Sequence, residues 1–156
     1  MTDESEAVDQ AVEAGVRLLA RREHASSELR LKLMQRGYAD DVIRQALAQL
    51  IDRDYLSDQR FVEVFLRHRC EQGYGPIRLV ADMQARGVDD AIYRPFLDAL
   101  EVDWIALARD QKRRRFGPGK PPNRKEWARQ GRFLAGRGFT AEQVYTVLGE
   151  EDDLSD

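Results

Sequence analysis

One cysteine, Cys70, stands alone among 156 residues, so no internal disulfide staples this chain, and a lone thiol fits a reducing compartment. No run of eighteen apolar residues occurs, which excludes an ordinary membrane-spanning helix. The opening "MTDESEAVDQ" is acidic and has neither the basic start nor the apolar stretch of a secretory signal; a cytoplasmic protein is expected. Aromatic residues make up 8%, β-branched runs are scarce, and nothing alternates as a strand should. The two histidines, His24 and His68, lie far apart, and neither Cys-x-x-Cys nor His-x-x-x-His is present, so no metal site is expected. No base is placed beside Cys70 to make it a nucleophile. The Gly-x-Gly-Lys of "FGPGKPP" lacks the spacing and the preceding strand of a phosphate loop. These absences point away from an enzyme, a cofactor, a small-molecule substrate and a membrane, and toward a binding protein.

What the chain does have is Leu, Ala, Arg, Glu and Gln, a helix-forming composition, with 34% charged residues. The net charge of −3 conceals an asymmetry. Residues 1–13 carry five acids and no base, and residues 150–156 carry five more acids. Without those segments, 25 bases face 18 acids, leaving +7 for residues 14–149. Residues 104–149 alone hold 11 bases and 3 acids, or +8. The C-terminal third is a basic object on an acidic chain, and both acidic ends are expected to be disordered tails.

The most informative feature is a phrase written three times: "LMQRGYADDVIRQAL", "MQARGVDDAIYRPFL" and "LAGRGFTAEQVYTVL". Gly37, Gly87 and Gly138 each follow an arginine, Arg36, Arg86 or Arg137. Four residues before each glycine stand Leu33, Met83 and Leu134. Six after stand Ile43, Tyr93 and Val144, and ten after stand Leu47, Leu97 and Leu148. The later pairs share one helical face. Glycine between two such segments suits a helix end that needs positive φ. Asp40, Asp89 and Thr140 read as start signals for the next helix, and Thr140 with Gln143 as a capping box.

A longer helix precedes each pair. "AVEAGVRLLARRE" spaces Val12, Val16 and Leu19 helically. "SDQRFVEVFLRHRCEQ" opens at a Ser57 cap and sets Phe61, Val64, Phe65 and Cys70 near one side. "DWIALARDQKRRRF" carries Trp104, Ile105 and Ala108 ahead of a basic end. Pro76 sits where a first helical turn tolerates proline, and "FGPGKPPNRK" is a loop. The fold expected is all-α: three tandem three-helix repeats forming an elongated, curved solenoid-like array. The repeats span residues 14–56, 57–101 and 102–149, between an acidic N-terminal tail at 1–13 and an acidic C-terminal tail at 150–156. In the third copy Gln130 and Gly131 replace the larger apolar or basic residues of the earlier two.

Two basic groups are candidate contact surfaces. Lys112, Arg113, Arg114, Arg115, Lys120, Arg124, Lys125, Arg129 and Arg132 cluster in the C-terminal third, a density that attracts phosphates or an acidic partner. Trp127 or Phe116 beside them either offers a stacking plane or packs in the core. Arg60, Arg67, Arg69 and Arg78 form a second row. It either faces a partner or pairs with Glu63, Glu71 and Asp82 on the helix surface.

The stretches "SSELRLKLMQRGY", "LIDRDYLSDQRFVEVFLRHR", "GYGPIRLVADMQARGVDDAIYRPFL", "DWIALARDQKRRRF" and "FLAGRGFTAEQVYTVL" together resemble the RecX family of regulatory proteins, over roughly residues 14–149. The middle block carries the resemblance most specifically, with its tyrosine-leucine-x-aspartate, basic helix, glycine-proline and arginine-glycine turn. The resemblance implies tandem three-helix repeats. It also implies a partner, the RecA recombinase filament, whose strand exchange, ATP hydrolysis and coprotease activities such proteins suppress. Weaker binding to single- and double-stranded DNA, and a place in DNA repair, homologous recombination and the SOS response, come with it. Two other readings stay open on the residues alone. One is a freestanding helical DNA-binding protein, although the helices after each glycine begin with acidic or neutral residues that do not attract phosphate. The other is a generic solenoid adaptor.

Overall fold

The computed structural model describes residues 3–149. Among these it contains α-helices and no strand, in the order α1 (Asp3–Arg21), α2 (Ser26–Gln35), α3 (Asp40–Asp52), α4 (Asp58–Glu71), α5 (Pro76–Ala85), α6 (Asp90–Asp98), α7 (Trp104–Phe116), α8 (Arg124–Gly136) and α9 (Ala141–Leu148). This is an all-α repeat fold.

The glycine spacing is visible in the backbone. Gly37, Gly87 and Gly138 have φ of +93°, +71° and +99°, a region that costs an L side chain energy. Each closes a helix with the same two bonds. Tyr38, Val88 and Phe139 donate their N–H groups to Leu33, Met83 and Leu134 at 3.3, 3.1 and 3.2 Å. The glycines donate to Met34, Gln84 and Ala135 at 2.9, 3.1 and 3.0 Å. That pair of bonds satisfies carbonyls a helix end otherwise leaves open. Leu33, Met83, Leu134, Ile43, Tyr93, Val144 and Leu148 are all buried, while Leu47 and Leu97 are partly so. Two further turns repeat the pattern, one at Gly73 and one at Asp54, which holds φ +61° without being glycine.

Helix starts follow their caps with one correction. Thr140 and Gln143 form the reciprocal box, Ser57 Oγ accepts from Arg60 N–H at 3.2 Å, and Pro76 is the first residue of α5. Asp103 and Asn123 cap α7 and α8 through their side chains. Asp40, expected to begin α3 as a cap, instead lies inside its first turn. The cap position belongs to Ala39, which has no side chain to offer, so Asp40 and Asp41 favour the helix only through its dipole.

The acidic N-terminal residues are also corrected. Residues 3–13 belong to α1 rather than to a disordered tail. Val8, Ala11 and Val12 are buried there, continuing one face through Gly15 and Leu18. The acids Asp3, Glu4 and Glu6 fall in the first turn, where negative charge suits the helix dipole. The C-terminal segment 150–156 lies outside the described residues.

The chain forms two compact units, and the division falls inside α4 and α5. The first comprises the described residues of Met1–Phe65 and Met83–Asp98. Its core gathers Val8, Ala11, Leu18, Leu29, Leu33, Ile43, Ala46, Leu50 and Leu56. In α4 the buried residues are Phe61, Val62 and Leu66, while Val64, expected on that side, is exposed. Three residues on from Phe61 the helix has turned past the stripe that Val62 and Leu66 extend. The second unit comprises the described residues of Leu66–Asp82 and Ala99–Asp156. Ala108, Leu134, Phe139, Val144, Val147 and Leu148 form its core, with Trp104, Ile105, Trp127 and Phe133 packed against it.

Candidate nucleic-acid and partner surface

The basic cluster of the C-terminal third is built from the end of α7, the loop 117–123 and α8. Lys112 is its exception. Its side chain is buried, and its ammonium donates to the carbonyls of Gly117, at 2.8 Å, and Gly119. Burial pushes its pKa down. Lys112 therefore holds the glycine-proline loop against the end of α7 and is withdrawn from the surface where its charge was expected.

The remaining members are exposed. Arg113 and Arg114 share Asp110, at 2.8 and 2.9 Å, with 65% and 72% of their side chains in solvent. The hydrogen bond from Arg113 holds the Asp110 carboxyl below its usual range. Pairs this open contribute little to folding and leave each guanidinium able to reach a second anion. Arg115 lies over the Phe133 ring at 5.3 Å. Arg129 pairs with Glu126 at 3.0 Å and lies over Phe116 at 5.1 Å. Arg129 is also the main cause of the low Glu126 pKa. Lys120, Arg124, Lys125 and Arg132 are exposed along the loop and α8.

Two concavities belong to this region. One, about 450 Å³, is lined by Arg109, Lys112, Arg113, Pro118, Lys120 and Thr146. Arg109 was absent from the sequence-derived set, although it stands one helical turn before Arg113 and so shares its face. The other, about 310 Å³, is an apolar cleft between α8 and α9 walled by Trp127 and Tyr145 with Arg132 at its edge. Trp127 packs: it stacks on Tyr145 at 5.7 Å and donates its indole N–H to the Gly149 carbonyl at 2.7 Å. Phe116 packs too, edge-on against Phe133 at 5.4 Å.

The second row does not form a uniform surface. Arg60, in the first unit, is tied to Glu23 at 2.5 Å, to Asp54 at 3.2 Å and to the backbone carbonyls of Asp54 and Tyr55. In the second unit, Arg69 and Arg78 share the buried Asp82, at 3.3 and 3.2 Å. Arg69, Arg78 and Arg137 surround the Tyr74 ring at 5.1, 4.8 and 4.1 Å. These three hold the turn between α4 and α5, whereas Arg67 is exposed. Of the acids considered for this row, Asp82 pairs with both Arg69 and Arg78.

The other chemistry-bearing groups are structural. His24 is buried; its Nδ1 lies 3.0 Å from the Arg22 carbonyl, and its Nε2 accepts from the Lys32 ammonium at 2.8 Å. Burial raises the Cys70 thiol pKa, away from the thiolate a nucleophile requires. No helix among the described residues is long and apolar enough to cross a membrane.

Three family models match the chain consecutively: the first three-helix domain of RecX at residues 11–50, the second at 57–94 and the third at 101–148. The chain belongs to the RecX family. A regulatory protein RecX of Halorhodospira halophila is 44% identical over 96% of this chain and 94% of its own length. Another, from Pseudomonas entomophila, is 41% identical over 86% of this chain and 87% of its own. In fold, the chain is similar to the crystal structure of RecX from Lactobacillus salivarius. The TM-score is 0.76 at 20% identity, covering 96% of this chain and 99% of the other. A second RecX crystal structure gives 0.79 at 16% identity, over 92% and 73%. The basic loop and α8 thus fall within the third RecX domain.

Proposed function

We propose that this chain is a regulator that binds RecA nucleoprotein filaments and restrains their recombinase, ATPase and coprotease activities, thereby modulating DNA repair and recombination in the cytoplasm. The observation that carries this reading is family membership across all three three-helix domains. The structure adds a physical means of approach. Arg113, Arg114, Lys120, Arg124, Lys125, Arg129 and Arg132 expose a basic surface on the third domain. Such a surface gains free energy by displacing counterions from a phosphate backbone and binds duplex or single strands with little sequence preference. On this reading DNA affinity is a weaker, supporting term, and contacts with the recombinase supply the selectivity. Arg109, exposed beside Arg113 and Lys120, extends the surface.

The test is ATP hydrolysis by RecA on single-stranded DNA with the protein added at and below equimolar amounts. Hydrolysis and strand exchange are expected to fall, and the protein is expected to be retained on RecA–DNA filaments far above bare DNA. Retention with hydrolysis and strand exchange unchanged would overturn the regulatory reading. Equal retention on bare DNA would favour a freestanding DNA-binding protein.

A further inference from the structure

The third domain ends beside its own apolar cleft. Trp127, Ala128, Gly131 and Ala135 form one wall of it from α8, and Val144 and Tyr145 form the other from α9. Gly131 has no side chain to fill the floor, and Tyr145 is left 47% exposed. The volume, about 310 Å³, lies at the small end of ligand pockets, roughly 300–1,000 Å³, and suits a side chain better than a cofactor. Arg124 and Arg132 stand one turn to either side of Ala128 on the same ridge of α8, both exposed. The cleft is thus apolar within and basic along one edge, a lining that fits an apolar side chain carried among acids.

The chain supplies such a segment at one end of the cleft. Gly149, at φ +83°, closes α9 and donates its N–H to the Tyr145 carbonyl at 2.8 Å. Its own carbonyl accepts the Trp127 indole N–H at 2.7 Å, and a Cβ on it would stand 3.3 Å from the Lys120 ammonium. The chain therefore leaves α9 between the tryptophan wall and a lysine of the basic loop. The sequence that follows, "EEDDLSD", holds five acids and one large apolar residue, Leu154. Leu154 comes five residues after Gly149, a span of up to about 17 Å. The cleft runs only about 12 Å along α8 from Trp127 to Ala135.

We propose that residues 150–156 fold back over the α8–α9 cleft, with Leu154 seated against Trp127 and Tyr145 and the acids along Lys120, Arg124 and Arg132. The docked segment is a cover tethered to the basic face that it closes. Its tether holds it at a high effective concentration, so a polyanion must displace it before reaching those cations. The cover rests on the geometry of the third domain; its competition with DNA rests also on the phosphate-binding reading above.

The test compares the full chain with a chain ending at Glu150, which keeps the Gly149 peptide intact, and with Leu154→Asn, which keeps all five acids. Acrylamide quenching of tryptophan fluorescence reads the cleft directly, with Trp104, packed on the core, as a constant background. Both variants should be quenched more strongly than the full chain, with the helical circular dichroism unchanged. Binding to oligothymidylate should tighten on truncation, about tenfold for a cover closed roughly nine-tenths of the time, and by a smaller factor for Leu154→Asn. Equal quenching in all three chains would overturn the proposal. So would tighter DNA binding on truncation alone, with Leu154→Asn binding as the full chain does, since the acids would then act only at a distance. Stronger quenching in both variants without DNA binding in any chain would uphold the cover and count against the phosphate-facing surface instead.

Discussion

Gly75 and Gly138 meet backbone to backbone: a Cβ on Gly75 would stand 2.5 Å from the carbonyl carbon of Gly138. Around this approach Gly75 N–H donates to the Arg137 carbonyl at 2.8 Å, and Arg137 donates to the Gln72 carbonyl while covering Tyr74. The three arginine-glycine turns share a conformation but not a neighbourhood, and that difference predicts a graded series. Gly37→Ala carries only the strain of positive φ, about 1 kcal/mol. Gly87→Ala adds a collision 2.8 Å from the Ser27 hydroxyl, a side chain that can rotate. Gly138→Ala drives a methyl into the Arg78 backbone nitrogen at 2.5 Å and should cost about 3 kcal/mol or more. Urea denaturation of the three variants checks the order. Equal losses would mean that the docking of the turns contributes nothing.

Gly131 should behave in the opposite way. It lies within α8, and a Cβ there would meet Trp127, Val144 and Leu148 at 3.8–3.9 Å, ordinary contact distances. Gly131→Ala is expected to stabilise the chain by roughly 0.5–1 kcal/mol through lower unfolded-state entropy and better helix propensity. The measurement is the denaturation midpoint; a lower midpoint would show that the helix is locally strained at this position.

The Arg-Gly turns were legible because an apolar residue four before a glycine, and others six and ten after it, describe two helices and the bend between them. The Asp54 turn was not, since aspartate, although commoner than most residues at positive φ, is also a frequent helix start and so does not single out this turn. The start of α1 was hidden because Val8, Ala11 and Val12 are outnumbered locally by acids that face solvent. For the candidate surface, charge density singled out nine cations, of which eight are exposed and Lys112 is buried. The burial of Lys112 depends on the loop 117–119 folding back over α7, and the sharing of Asp82 between Arg69 and Arg78 depends on how α4 meets α5. Neither relationship is carried by spacing along one helix.

Neutralising Arg113→Gln and Arg114→Gln together should weaken binding to bare single-stranded DNA. It should also lower the slope of log affinity against log salt by about 0.7 per lost contact. The melting temperature should hold, because both side chains are mostly exposed and share a single carboxylate. A slope that is unchanged while affinity falls would place these arginines away from phosphate. Lys112→Gln is expected to do the reverse, lowering the melting temperature by freeing the loop while leaving the salt slope nearly intact.

His24 makes stability depend on acid. Burial lowers its pKa below the ordinary 6.5, so the unfolded chain takes up the proton first and folding is favoured less as pH falls. The contribution is fully present above 6.5 and is lost as pH falls toward the folded value, where a protonated Nε2 would face the Lys32 ammonium. Melting temperatures between about pH 7.5 and 5.5 should fall more steeply for the wild-type chain than for His24→Gln. Parallel curves would assign the acid sensitivity elsewhere.

Lys112 has one more effect, on the chemistry of the chain's amines. The sequence has four lysines. Lys112 is enclosed by carbonyls, and Lys32 donates to a buried imidazole, which leaves Lys120 and Lys125 as the freely presented side-chain amines. Any reagent or enzyme that acylates accessible lysines would therefore concentrate on the loop and on the first turn of α8. A dye attached through lysine side chains, or a surface coupled through them, would sit on the basic face itself and cover what it was meant to observe.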